Sequence, residues 1–153
     1  MNTSIQGLAR LQQILRRLLR KLPLHLVVAE AFLTLLYVGM MSRVLGFDSM
    51  YSPSLKVLRL SQVPQPDFDQ IDVFQSCRDA VQIACLILPW RALCLPRSFT
   101  ICSMLKRRGF PAKVVIGIEG LSLRPHAWVE CGETIIDTIR DTQEGLVRFD
   151  IVD

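Results

Sequence analysis

The sequence predicts an α+β fold, a helix packed on a small antiparallel sheet and preceded by N-terminal helices. Three observations predict it. From Ile5 to about Val44 apolar residues recur at helical spacing or in a continuous apolar run. A second apolar stripe, Leu95, Phe99, Cys102 and Leu105, lies between Pro96 and Gly109-Phe110-Pro111, the residues that start and stop a helix. Downstream the period changes to two, at Ala112, Val114, Ile116 and Ile118, with two more short strands at His126 to Glu130 and Thr134 to Asp137.

With 153 residues, half of them apolar, and a formal net charge of +4, the chain is excluded from the disordered, collagen-like and coiled-coil classes. Its five cysteines are an odd number and cannot all pair internally. No secretory signal is read, because the apolar stretch is long and no small-x-small cleavage site follows it. A reducing, cytoplasmic setting is the expectation.

The first element is a basic amphipathic helix. Ile5, Leu8, Leu11, Leu15, Leu18 and Leu22 form its apolar stripe, with Thr3 or Ser4 as cap and Arg10, Arg16, Arg17, Arg20 and Lys21 on the opposite arc. These five basic groups with no acidic one leave the rest of the chain near neutral. That asymmetry suits a membrane surface or an acidic partner better than a nucleic-acid footprint, and no nucleic-acid partner is expected. After Pro23, a helix from about Leu24 to Val44 is apolar enough to raise the question of a membrane span. Pro23, His25 and Glu30 argue for a buried helix instead, with enough exposed apolar surface to make the protein sticky and to allow peripheral membrane contact.

Gly46 to Asp69, broken by Pro53, Pro64 and Pro66, reads as an extended connection, with a short strand at Leu55 to Leu60. The organisation expected is a helical subdomain over 1–50, a linker over 51–69 and the domain that carries chemistry over 70–153. Asp67 or Asp69 can cap the next helix, whose apolar face runs Ile71, Phe74, Cys77, Val81, Ala84, Cys85 and Leu88 before Pro89. Cys77 and Cys85 then belong to the core.

The helix from about Leu95 to Arg108 places Cys94 at its N-terminus. Unpaired N–H groups and the positive end of the helix dipole favour an anion there and lower a thiol from about 8.5 into roughly the 3.5 to 7.5 range. The strands after it look like a hairpin. With Gly132-Glu133 as a two-residue loop, Cys131 pairs with Thr134, Trp128 lies opposite Asp137, and His126 is diagonal to Asp137 on the same face. A one-residue slip would turn Asp137 to the other face.

The chain order is thus a helix-borne Cys94, then His126, then Asp137, which resembles papain-like and transglutaminase-like thiol enzymes. His126 would hold Cys94 as a thiolate–imidazolium pair and protonate the leaving amine, and Asp137 would orient the imidazole. The Cys94 N–H would be one oxyanion donor; Gln82 and Gln75 on the preceding helix are candidates for the second. Taken singly, each residue has a blander explanation in packing, structural hydrogen bonding or turn chemistry. No C-x₂-C pair occurs, so no metal site is expected, and Cys102 and Cys131 are read as structural.

The run CLPRSFTICSMLKRRGFPAKVVIGI, followed by HAWVE and then IID, resembles the lasso-peptide leader peptidases, the transglutaminase-like B proteins of lasso-peptide biosynthesis. The likeness is close from Ile71 to about Asp141. It is looser in the N-terminal part, through a basic Leu/Arg helix and an apolar helix bearing Glu30-Ala31. It implies a papain/transglutaminase-like cysteine peptidase, catalytic at Cys94, His126 and Asp137, that needs no metal or organic cofactor. Its substrate would be a ribosomally made precursor peptide, and an ATP-dependent lasso cyclase would then use the new amino terminus. Fused members of that family add a winged-helix-like leader-recognition module. Residues 1–50 here are helical and too apolar for one, so the resemblance implies a stand-alone peptidase that works with a separate leader-recognition protein. The alternatives are a catalytically silent scaffold that binds leader and maturation partners, and acyl transfer by the same triad.

Overall fold

A computed structural model describes residues 22–44, 69–88, 93–119, 124–136 and 146–152. The expected first helix, the linker strand and Asp137 lie outside these residues. The described elements are helices α1 (Leu24–Val44), α2 (Asp69–Ile87) and α3 (Cys94–Arg107), then strands β1 (Ala112–Glu119), β2 (Arg124–Cys131), β3 (Thr134–Ile136) and β4 (Leu146–Val152). The strands form one antiparallel sheet in the order β3-β2-β1-β4.

Pro23 opens α1, its carbonyl accepting the Leu26 and Val27 N–H groups at 2.9 and 3.3 Å. Val27, Ala31, Leu35 and Val38, spaced by four and three, turn inward and are buried. Leu24, Leu33, Tyr37, Met40 and Val44 remain exposed, so the helix is apolar on both sides. By length and composition α1 could cross a membrane. Its inner stripe is nevertheless part of the core shared with α2 and α3.

On α2 the buried residues are Phe74, Cys77, Ala80, Val81, Ala84 and Leu88. At 3.6 residues per turn these fall within about 60° of Cys77 on either side, Cys85 lies at about 80° and Ile71 at about 120°. Cys85 is accordingly half-buried against the core, and Ile71 is exposed, which corrects the sequence expectation for Ile71.

Helix α3 ends as its sequence requires. Gly109 at φ 88° supplies the left-handed residue, with Gly109 N–H bonded to Lys106 O and Phe110 N–H to Leu105 O, the paired bonds of a Schellman motif. Buried Leu105 and Phe110 are its apolar accompaniment, and the Phe110 ring meets Phe74 of α2 edge-on at 5.1 Å. Just before that turn, Arg108 is buried and forms a two-pronged bond with Glu30 of α1, Nη1 to Oε1 at 3.2 Å and Nη2 to Oε2 at 2.6 Å. Arg107 approaches the same carboxylate, Nε to Oε1 at 2.9 Å, without hydrogen-bond alignment, and its Nη2 donates to Thr34 Oγ1.

The hairpin has the register read from the sequence as far as it is described: Cys131 opposite Thr134, Glu130 opposite Ile135 and Val129 opposite Ile136, around Gly132 at φ 61°. The pair beyond, Trp128 with Asp137, falls outside the described residues. Strand β4 was not expected from the sequence. It pairs with β1, and the register shifts between Ile116 and Gly117, where Phe149 is skipped between Asp150 and Arg148. One face of the sheet, with Ala112, Val114, Ala127, Val129, Cys131 and Ile136, closes the core against the helices.

Removing one partner of a buried ion pair strands the other. Glu30→Ala leaves the Arg108 guanidinium buried without a carboxylate and should lower stability by about 3 kcal/mol. A urea titration checks this, and an unchanged midpoint would contradict it.

Candidate active site

The site is built where the N-terminus of α3 meets β2. Leu93, extended at φ −70° and ψ 166°, precedes the helix and offers no side-chain cap, and the first turn holds no acidic residue. The Leu95 N–H that a Ser or Asp cap would occupy is therefore left for another acceptor, Pro96 having none. Cys94 opens the helix and is half-buried.

His126 of β2 supplies the partner. Its side chain hydrogen-bonds Cys94, and this bond is the main reason the Cys94 pKa lies below the ordinary thiol value. Burial opposes the shift. Hydrogen bonds from the Ala127 and Leu95 N–H groups and the charge of His126 reinforce it. The sulfur thus receives donors from the strand, the imidazole and its own helix. The His126 ring is stacked on Trp128, with centroids 6.1 Å apart and planes at 21°, and Trp128 Nε1 donates to the buried Glu130 carboxylate at 2.9 Å.

One contact was absent from the sequence reading. Ser98, one helical turn after Cys94 and almost fully buried, donates its hydroxyl to Ala127 O at 2.8 Å. The i, i+4 spacing of Cys94 and Ser98 is the signal that could have revealed it, because such residues share a helix face.

The structure brings Cys94 and His126 together; Asp137 lies outside the described residues. Gln75 and Gln82 are exposed on α2. The other cysteines are electrostatically different. Burial pushes Cys77 and Cys131 up to about 11, and burial also raises Cys85 against the opposing charge and hydrogen bond of Arg97. Cys102 is buried and its Sγ donates to Ala112 O at 3.4 Å, and none of the five cysteines is in a disulfide. Among the described residues no three His, Cys, Asp or Glu side chains converge as a metal would require.

What this arrangement can do is present a thiolate beside a proton donor. A family model described as the transglutaminase-like superfamily matches residues 34–152, from the middle of α1 to the end of β4. No curated protein and no solved structure matches the chain.

The thiols should separate by reactivity. Near pH 7 iodoacetamide should alkylate Cys94 first in the folded protein, with Cys77, Cys102 and Cys131 protected, as peptide mass mapping would show. Because the Cys94 pKa is lowered chiefly by His126, the pH–rate curve should extend to lower pH than that of a free thiol and fall as the thiolate is protonated. His126→Ala should move it to higher pH. Equal labelling of Cys94 and Cys77 would contradict the assignment.

Proposed function

The chain belongs to the transglutaminase-like superfamily, and we propose that within it the protein is a cysteine peptidase that removes the leader from a ribosomally made lasso-peptide precursor. The observation that carries the peptidase reading is the Cys94 sulfur held by the His126 side chain at a helix N-terminus. The precursor class rests on the CLPRS, RRGFPA and HAWVE runs occurring together in order.

Cys94 thiolate attacks the carbonyl carbon of the scissile bond, forming a C–S bond and a tetrahedral oxyanion. The Cys94 N–H and a second donor hold that charge. The oxyanion collapses, the C–N bond breaks, and His126 gives its proton to the leaving amine, which becomes the new amino terminus of the core peptide. Neutral His126 then takes a proton from water. The hydroxide adds to the thioester, the C–S bond breaks, and the leader leaves with a free carboxylate. The balance closes with these groups and water, so the reading calls for no metal or organic cofactor. Asp137, outside the described residues, is proposed as the carboxylate that orients the imidazole.

The partners proposed with this reading are the precursor leader, a separate leader-recognition protein and an ATP-dependent lasso cyclase that uses the released amine. A separate recognition protein would raise the local concentration of the leader at a peptidase that binds it weakly alone.

The test is the intact mass of a precursor peptide incubated with the protein and a recognition partner shown to bind the leader. Wild type should release the leader. Cys94→Ala and His126→Ala should reduce cleavage by about 10³-fold or more. Asp137→Asn should be slower than wild type and faster than either, and Cys102→Ser should be unchanged. Undiminished cleavage by the Cys94 variant would overturn the proposal.

A further inference from the structure

The backbone of Ala127 is held by α3 through both of its polar groups. Its N–H reaches the Cys94 sulfur, and its carbonyl accepts the Ser98 hydroxyl at 2.8 Å. Cys94 and Ser98 are one turn apart, about 6 Å along the helix axis. Ala127 is the residue after His126 in β2. The Ser98 bond spans 29 residues of chain and is buried, with Ser98 2 % and Ala127 3 % exposed.

We propose that Ser98 is a positioning residue for the Cys94–His126 pair: its hydroxyl locks the axial and rotational setting of α3 against β2 and so fixes the distance between sulfur and imidazole. The inference rests on the peptidase reading only for its use in catalysis. Apolar contact is non-directional, so the packing of Leu95, Phe99 and Leu105 in the core resists a displacement of a fraction of an ångström less specifically than a hydrogen bond does. A hydrogen bond weakens steeply over the same displacement. Besides the bonds that the Cys94 sulfur itself accepts, the Ser98 hydroxyl gives α3 a directional contact with the strand that bears His126. Without it the Ala127 carbonyl is a buried acceptor that has lost its partner, and the helix start is free to move to relieve it. The sulfur then loses part of its contact with the imidazole. Ser98 touches neither sulfur nor substrate in this role and acts through the Ala127 backbone.

The role predicts a pattern that mere stabilisation does not. Ser98→Ala should shift the pH–rate curve for alkylation of Cys94 by iodoacetamide to higher pH and cut the rate near pH 7 by about five- to tenfold, since a rise of one pKa unit removes up to about tenfold of the thiolate below that pKa. Both proteins are compared at a temperature where circular dichroism shows each folded. Ser98→Cys, a near-isosteric weak donor, should fall between them and serves as the measurement if the alanine variant does not fold. In leader cleavage Ser98→Ala should lower kcat with KM little changed. A folded Ser98→Ala whose alkylation curve superimposes on that of wild type would overturn the proposal, even if its melting temperature drops. Alkylation needs no peptide, so failure of the wild type to cut a precursor would remove the peptidase reading and leave the positioning role of Ser98 to be decided by the alkylation curves alone.

Discussion

Helix α3 is pinned near its two ends by buried polar contacts that a sliding helix could not keep. At the N-terminal end Ser98 bonds the Ala127 carbonyl of β2, and just past the C-terminal end Arg108 forks onto Glu30 of α1. The charges follow the helix dipole at the C-terminal end only, since Arg97 lies in the first turn. Lys106 and Arg107 lie in the last turn, where the dipole is negative, and no acidic side chain occupies the first turn. A capped N-terminus would be the more stable helix by about 1 kcal/mol. Leaving it uncapped keeps its N–H groups available to a sulfur anion. The stability given up at one end is offset by the ion pair and apolar packing at the other.

These contacts also explain why separate sequence runs belong together. Glu30-Ala31 and the Arg107-Arg108-Gly109 run are 76 or more residues apart in sequence, yet Glu30 holds both arginines and Ala31 is fully buried beside them. Gly109 then turns the chain so that β1 can begin at Ala112. Ser98, in the same run as Cys94, meets the strand that bears His126. A helix that carries a nucleophile has to be fixed in translation and rotation, and two directional contacts about 15 Å apart along its axis do so where one would leave a pivot.

What could be read from the sequence followed from how cleanly each element kept its period. Helix α3 was legible because Pro96 and Gly109 mark its ends, and the hairpin because Gly132 fixes a two-residue loop and hence the register. Helix α1 was legible in length but not in orientation, since a helix apolar all round does not announce which stripe is buried. On α2 the error at Ile71 was one of phase: steps of three drift by about 60° each, so a run of such steps leaves the buried arc. Strand β4 was legible but missed, since Val147, Phe149 and Ile151 alternate with Arg148 and Asp150 as strand residues do; only its pairing, which skips Phe149, could not be read from the sequence. Cys94 and His126 could be paired by residue type and order. Ser98 could not be recognised as their neighbour until the strand was seen to present a backbone carbonyl to it.

The packing of α1 bears on its resemblance to a membrane span. Glu30, one turn before the helix midpoint, would cost at most about 2.5 to 3.5 kcal/mol on insertion scales, which the surrounding apolar residues could offset. Insertion would also withdraw the carboxylate from Arg108, whose guanidinium is 1 % exposed, at a further cost of about 3 to 5 kcal/mol. It would strip Val27, Ala31, Leu35 and Val38 from the core they share with α2 and α3. The second and third costs fall on α3, the helix whose setting places Cys94. Spanning by α1 would therefore work against the packing that sets α3. In the packed state only the outer face, with Leu33, Tyr37 and Met40, is left to meet another surface.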